Sequence, residues 1–261
     1  MKKFIPYLVS GLVICAIYYF YFQPTAPTTP MEQKNTLIVG TSSDYPPYVL
    51  MDLASHEIVG FDIDVISQVA QRLGKKMIIK DMPFATLIFS LNAGQMDVIA
   101  AGLSATPERA QNLLFANVHL TSDCVVIVSK SDSEKITKIE DLFGKKVAVN
   151  TGYIAENYLM KFPEISLVRL EAPADSALAL QAGSIDAFAT AKSNFNLFID
   201  QQKDQGLSTD YQIFAISDVS ENCAFGLNKK NIHLKSEIDT ALASMQQDGT
   251  LQKIKKKWNL E

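Results

Sequence analysis

Residues 102–109, Gly-Leu-Ser-Ala-Thr-Pro-Glu-Arg, join a helix entry to a fixed positive charge. Thr106 suits an N-cap, Pro107 the first helical position and Glu108 the first turn. Arg109 is the odd member, because the start of a helix already carries partial positive charge. An anion explains a guanidinium there. Its planar fork pairs bidentately with a carboxylate, and the helix N–H groups add to the hold. Gly102 lets a ligand approach the backbone, and Ser104 offers a hydroxyl. On spacing alone, a surface ion pair with a neighbouring acid explains Arg109 as well.

Other segments carry groups that suit the same chemistry. In "TSSDYPPY" (41–48), Tyr45 is able to cover a planar or apolar ligand part, and Phe84 to stack on its other face. Ordinary packing is the alternative for both aromatics. "VNTG" (149–152) presents Asn150, Thr151 and the backbone N–H of Gly152, and it also reads as a plain strand-to-helix turn. The histidines, His56, His119 and His233, have the spacing of neither a metal site nor a catalytic triad, and no nucleophile elbow is present. No cofactor motif is read, and none is expected.

These residues need a scaffold. "TLIVGTS" (36–42) is a buried strand, and "VGFDIDVISQVAQRLG" (59–74) a helix entered at Asp62 and closed by Gly74. "KKMIIKD" (75–81) and "MDVIAAG" (96–102) are strands on either side of a helix over 84–94. The later half repeats the order: strand 143–152, helix 154–162, strand 165–172. Such alternation predicts α/β architecture with a mainly parallel sheet. "LNAGQMDVIAA" (91–101) also matches "LQAGSIDAFAT" (180–190), with Leu, Ala, Gly and Asp at the same offsets. Two lobes of similar build follow. "CVVIVSKS" (124–131) carries the chain into the second lobe and "NCAFGLNKK" (222–230) carries it back. The closing helices, 234–249 and 250–261, then pack on the first lobe. Ligands of open α/β sheets bind beyond the carboxyl ends of the strands, where 102–109 and 43–48 lie.

The whole chain narrows the classes further. Its 261 residues allow one or two domains, and a net charge of −4 without a large basic field argues against nucleic acid as a partner. Lys2 and Lys3 precede an uncharged segment, 4–22, that as a helix spans roughly 28 Å, close to a bilayer core. The positive charge places the N-terminus inside and the body outside. An uncleaved anchor is favoured over a cleaved secretory signal, because prolines 24, 27 and 30 crowd the cleavage region. Residues 23–35 form a stiff tether. Cys15 lies in the apolar segment. Cys124 and Cys223 lie in the exported body, as a permitted disulfide or as two buried thiols.

"VGTSSDYPPY", "VGFDIDVISQVAQRLG", "LIFSLNAGQMDVIAAGLSATPER" and "QQDGTLQKIKKKW" together resemble the periplasmic amino-acid-binding proteins of ABC importers, extracellular solute-binding family 3. The resemblance covers nearly all of 36–261 and is most specific over 91–109. It implies a type II periplasmic-binding-protein fold, with lobe one at 36–122 plus 223–261 and lobe two at 123–222, joined by two crossing strands that close on one ligand. It also implies that Arg109 grips the α-carboxylate, that Ser104 and Gly102 bond the carboxylate and amino group, and that Tyr45 and Phe84 wall the side chain. Thr151 and Gly152 would close over the carboxylate. Because the crossing strands run side by side in the family, the resemblance implies a Cys124–Cys223 disulfide.

Two positions depart from the family pattern. Ser42 stands where an acid is common, with Asp44 two residues on, and Ala191 stands where an acid usually meets the α-ammonium. Asp44 or another acid substitutes, or the ligand is not an ordinary α-amino acid, or binding is lost. The resulting expectation is a monomeric, non-enzymatic binding protein. It is held outside the inner membrane and delivers a small carboxylate-bearing ligand, such as an amino acid, to an ABC permease. The alternatives are a dehydratase-like enzyme on the same fold, and a sensor or adhesin without a transport role.

Overall fold

Short apolar runs ended by glycine alternate with amphipathic stretches from residue 36 onward, and each becomes a strand or a helix. The computed structural model describes residues 35–129, 136–204 and 210–261. The expected anchor at 4–22 and the tether up to residue 34 lie outside the described residues. Among the described residues, no helix is long and apolar enough to cross a membrane.

The chain opens with β1 (Thr36–Thr41) and a small antiparallel trio, β2 (Asp44–Tyr45), β3 (Val49–Met51) and β4 (Ile58–Val59). Then come α1 (Phe61–Arg72), β5 (Lys76–Asp81), a 3₁₀ turn (Phe84–Thr86), α2 (Leu87–Asn92), β6 (Val98–Ile99), α3 (Pro107–Ala110) and β7 (Leu113–Phe115). β8 (Leu120–Ser129) crosses to a second set: β9 (Lys146–Asn150), α4 (Ile154–Leu159), β10 (Ser166–Leu170), α5 (Pro173–Gln181), β11 (Ala187–Ala191) and α6 (Lys192–Asp204). β12 (Tyr211–Cys223) returns to β13 (Gly226–Asn228), α7 (Ile232–Gln247) and α8 (Thr250–Lys257).

Two five-stranded sheets result, ordered β5-β1-β6-β13-β7 and β10-β9-β11-β8-β12. The expected parallel character holds for the first three strands of each sheet. β13, β8 and β12 are different: they pair antiparallel with their neighbours. The crossing explains this: β8 enters the second sheet against β11, β12 leaves it by running back along β8, and β13 then lies between β6 and β7 and against both. Each sheet has its own apolar core. Phe61, Ile66 and Val69 of α1 are wholly buried in the first, and Val126, Val147 and Val149 in the second. A fully buried side chain of this size stabilises by about 1.5–3 kcal/mol.

The internal repeat has a structural cause. The Asp97 N–H donates to the Ile38 carbonyl and the Asp97 carboxylate accepts from the Ile38 N–H, both at 2.8 Å. Asp186 does the same with Lys146, at 2.8 and 2.7 Å. Each aspartate thus fastens the entry of one parallel strand to the start of another. The glycine three residues earlier, Gly94 or Gly183, supplies the positive φ that ends the preceding helix.

Several expectations are corrected. Asp62 is not the cap of α1. Gly60 holds that place with φ 142°, and a Cβ there would meet the Tyr48 carbonyl oxygen at 2.1 Å. The first N–H groups of α1 are satisfied by the Pro47 and Tyr48 carbonyls of the preceding loop. Asp62 instead turns inward, 1% exposed, accepting from Gly102 N–H at 2.7 Å and contacting His119 Nε2 at 3.0 Å. The Cys124–Cys223 disulfide is not formed, and both cysteines are buried free thiols. β8 and β12 do run side by side, but the register sets Cys223 opposite Leu120, while Cys124 faces Ala191 of β11. Four residues of offset is about 13 Å, beyond the roughly 7 Å that a disulfide spans.

The closing helices pack where expected. Lys257 Nζ and Trp258 Nε1 both donate to Asp64 of α1 at 2.7 Å, and Arg72 pairs with Asp248 at 2.7 Å.

Candidate functional site

The two sheets present their loops to one another at Arg109. Thr106 caps α3, its hydroxyl accepting from the Arg109 N–H at 3.3 Å. The helix is a single turn, so the guanidinium rather than a long helix dipole supplies the positive charge. Arg109 Nη1 donates to the Ser104 carbonyl at 2.8 Å, and Nη2 donates across to the Gly152 carbonyl at 2.7 Å. The guanidinium carbon lies 5.5 Å from the centre of the Phe84 ring. Burial pulls the Arg109 pKa below its ordinary value, and the facing Glu221 opposes that pull.

Aromatic rings fill the space beside it. Tyr153, the residue after the 150–152 turn, stacks on Phe84 at 4.2 Å and leans on Tyr45 at 4.3 Å. Tyr153 is 4% exposed and packs with the first sheet's core although its backbone belongs to the second. Glu156 holds the turn that carries it, accepting from Gly152 N–H at 2.7 Å and from Arg169 Nε. Gly152 has φ 83°, and Gly102, at φ 61°, lies so close to Tyr45 that a Cβ would meet its ring at 2.8 Å. Both positions therefore require glycine.

Behind the rings lies a buried acid. Glu221, on the returning strand β12, is 1% exposed and its Oε1 accepts from Tyr45 Oη at 2.8 Å. Burial pushes its carboxyl up to about 7, against the lowering influence of the Tyr45 hydroxyl and of Arg109, with Asp62 adding to the rise. Burial also raises Asp44, and Asp81 and Glu171 contribute in the same direction. Three buried oxygens here, Glu221 Oε2, Asp44 Oδ1 and Tyr153 Oη, lack any hydrogen-bond partner among the described residues. A second cross-link, Tyr48 Oη with Ser193 Oγ at 3.0 Å, ties the lobes nearby.

Arg109, Ser104, Gly102, Tyr45, Phe84 and Gly152 are thus brought together, with Asp44 at their margin. Asn150 is not among them. Its amide reaches the Leu170 carbonyl and Ser176 within the second lobe, both at 3.4 Å. The Thr151 N–H donates to the Leu170 carbonyl at 3.1 Å, on the same inner side. Ser42 is buried beside Asp44 and hydrogen-bonds to it. Ala191 is fully buried between β8 and β9, so an acid's usual place is filled by a methyl group. Sequence reading missed Glu221 and Tyr153. Tyr153 carried a signal, an aromatic directly after a glycine turn, whereas Glu221 lies in sequence among polar neighbours, Asp218, Ser220 and Asn222, that hide it.

The sequence profile of the family described as "Bacterial extracellular solute-binding proteins, family 3" matches residues 37–261. The arginine-binding extracellular protein ArtP of Bacillus subtilis (strain 168) is 31% identical over 264 residues, spanning 99% of this chain and 98% of its own length. The ABC transporter glutamine-binding protein GlnH of the same organism is 30% identical over 233 residues, spanning 87% and 82%. Among solved structures, the P235GK mutant of ArgBP from T. maritima superposes with a TM-score of 0.79 at 30% identity, covering 87% of this chain and 96% of that one.

Proposed function

The chain belongs to the bacterial extracellular solute-binding proteins of family 3, and on that footing we propose that it captures an amino acid between its lobes and passes it to an ABC permease. The observation that carries this reading is Arg109. It is half-buried, stands over an aromatic wall, and donates to a carbonyl of each lobe. A ligand carboxylate replaces those two carbonyls as a bidentate, charge-assisted partner, which is the stronger bond. The ligand's side chain takes the slot between Phe84 and Tyr45 that the Tyr153 ring occupies. Entry therefore withdraws Tyr153 with the second lobe, a hinge movement about β8 and β12.

Lobe one is then 36–122 plus 223–261, and lobe two 123–222. The protein works as a monomer outside the inner membrane, held there by 4–22. It is not a catalyst. His119 is committed to Asp62 in the core, and His56 and His233 are exposed. Arginine and glutamine, named in the relatives, head the candidate ligands. The test is a thermal-shift screen of residues 35–261, which form one compact unit, against amino acids, dipeptides and organic acids. An amino acid that raises Tm in proportion to the logarithm of its concentration is expected. Stabilisation by none of them would overturn the reading.

A further inference from the structure

We propose that Glu221, held by Tyr45, is the subsite that receives a cationic nitrogen of the ligand. The proposal rests on the amino-acid reading above and adds the group that completes it.

The geometry has two unlike ends. At one, Arg109 offers only donors. At the other stands the Glu221 carboxyl, whose buried Oε2 no described residue satisfies. The ends are joined by continuous contact: Glu221 to the Tyr45 hydroxyl at 2.8 Å, Tyr45 to Tyr153 at 4.3 Å, Tyr153 to Phe84 at 4.2 Å, and Arg109 over Phe84 at 5.5 Å. An unpaired buried acceptor is costly, and a buried carboxylate more so. A molecule with a carboxylate at one end and an N–H-rich cation at the other satisfies both Arg109 and Glu221 at once. A neutral or purely anionic ligand leaves the acid end unpaired. Ala191 provides no acid on the lobe-two side, and Glu221 is the buried carboxyl that faces Arg109.

The titratable groups facing Glu221 are Arg109, Asp62, Tyr45, Tyr48, Tyr153, Cys124 and Cys223. Of these Arg109 alone is cationic, and the ligand carboxylate neutralises it on binding. A ligand cation then becomes the only positive charge beside Glu221, and binding ionises the carboxyl. With its pKa at about 7, about half a proton leaves per molecule bound at neutral pH.

Either an α-ammonium or a side-chain cation could supply the nitrogen, so the probes separate them. Calorimetric titrations use L-arginine, L-citrulline (neutral side chain) and 5-guanidinopentanoic acid (no α-ammonium), with wild type and Glu221→Gln, in buffers of different ionisation enthalpy. Among probes that bind wild type, Glu221→Gln should weaken those carrying the recognised cation about 30-fold or more. It should leave the probe that lacks that cation little changed, and it should abolish proton release. Loss confined to arginine and citrulline identifies the α-ammonium. Loss confined to arginine and the guanidino acid identifies the side chain. Tyr45→Phe removes only the hydroxyl that positions Glu221. It should give a smaller loss in the same order, and it decides the matter if Glu221→Gln fails to fold. Wild type binding none of the probes would overturn the subsite, and if no amino acid binds, the amino-acid reading with it. Tight binding by wild type that both variants retain for every probe, with proton release intact, would overturn the subsite alone.

Discussion

Glu221→Gln should change the stability of the ligand-free protein in a pH-dependent way. The Glu221 carboxyl is 1% exposed, and burial raises it from 4.5 to about 7. Because the folded value lies above the unfolded one, folding favours the protonated form. The stability this confers is fully present below pH 4.5 and is lost as pH rises through 7. The gap between 4.5 and about 7 corresponds to about 3 kcal/mol lost by pH 8. Glutamine keeps an acceptor for the Tyr45 hydroxyl and cannot ionise, so the variant escapes this loss. At pH 5 the variant should be more stable by only about 1 kcal/mol or less, whereas at pH 8 it should be more stable by up to about 3 kcal/mol. For a unit of this size that is about 6–12 °C in Tm. Urea and thermal unfolding at pH 5, 6, 7 and 8 measure it. A difference between the two proteins that stays constant over that range would refute the reasoning, because other titrating groups contribute equally to both.

Three further outcomes follow from individual contacts. Tyr153→Phe removes a buried hydroxyl without a partner among the described residues, so it should leave stability unchanged or raise it by up to about 1 kcal/mol in urea unfolding. Gly102→Ala puts a Cβ 2.8 Å from the Tyr45 ring at φ 61° and should cost at least about 2 kcal/mol, read from the same unfolding curves. Asp97→Ala and Asp186→Ala each remove the carboxylate that accepts a strand-entry N–H, from Ile38 or Lys146, and should cost similar amounts, about 1–3 kcal/mol apiece.

Much of the scaffold was legible because it is written in local chemistry. The Thr106-Pro107 entry, the Leu-Ala-Gly-Asp repeat and the apolar strands need only near neighbours to be read. The direction of β13 was not legible, since it depends on where the chain re-enters the first sheet. The sulfur pairing failed for a related reason: adjacency of β8 and β12 was readable, but not the register that sets Cys223 opposite Leu120. At the site, Arg109 stood out because its charge conflicts with its helix position. Glu221 did not, because its role appears only when strand β12 brings it under Tyr45, 176 residues away in sequence. Asn150 and Thr151 looked available, yet strand β10 claims the Asn150 amide and the Thr151 backbone N–H for the second lobe. Asp62 looked like a cap until the Pro47 and Tyr48 carbonyls took over that task and freed it for the core.

Binding through Arg109 is tested by calorimetry of wild type and Arg109→Ala, using the amino acid that stabilises the protein best and the same molecule without its carboxylate. The wild type should bind the decarboxylated amine about 100-fold or more weakly than the amino acid, and Arg109→Ala should bind both weakly and without distinguishing them. An amine held as tightly as its parent amino acid by the wild type, or discrimination that survives loss of the guanidinium, would contradict a carboxylate clamp at Arg109.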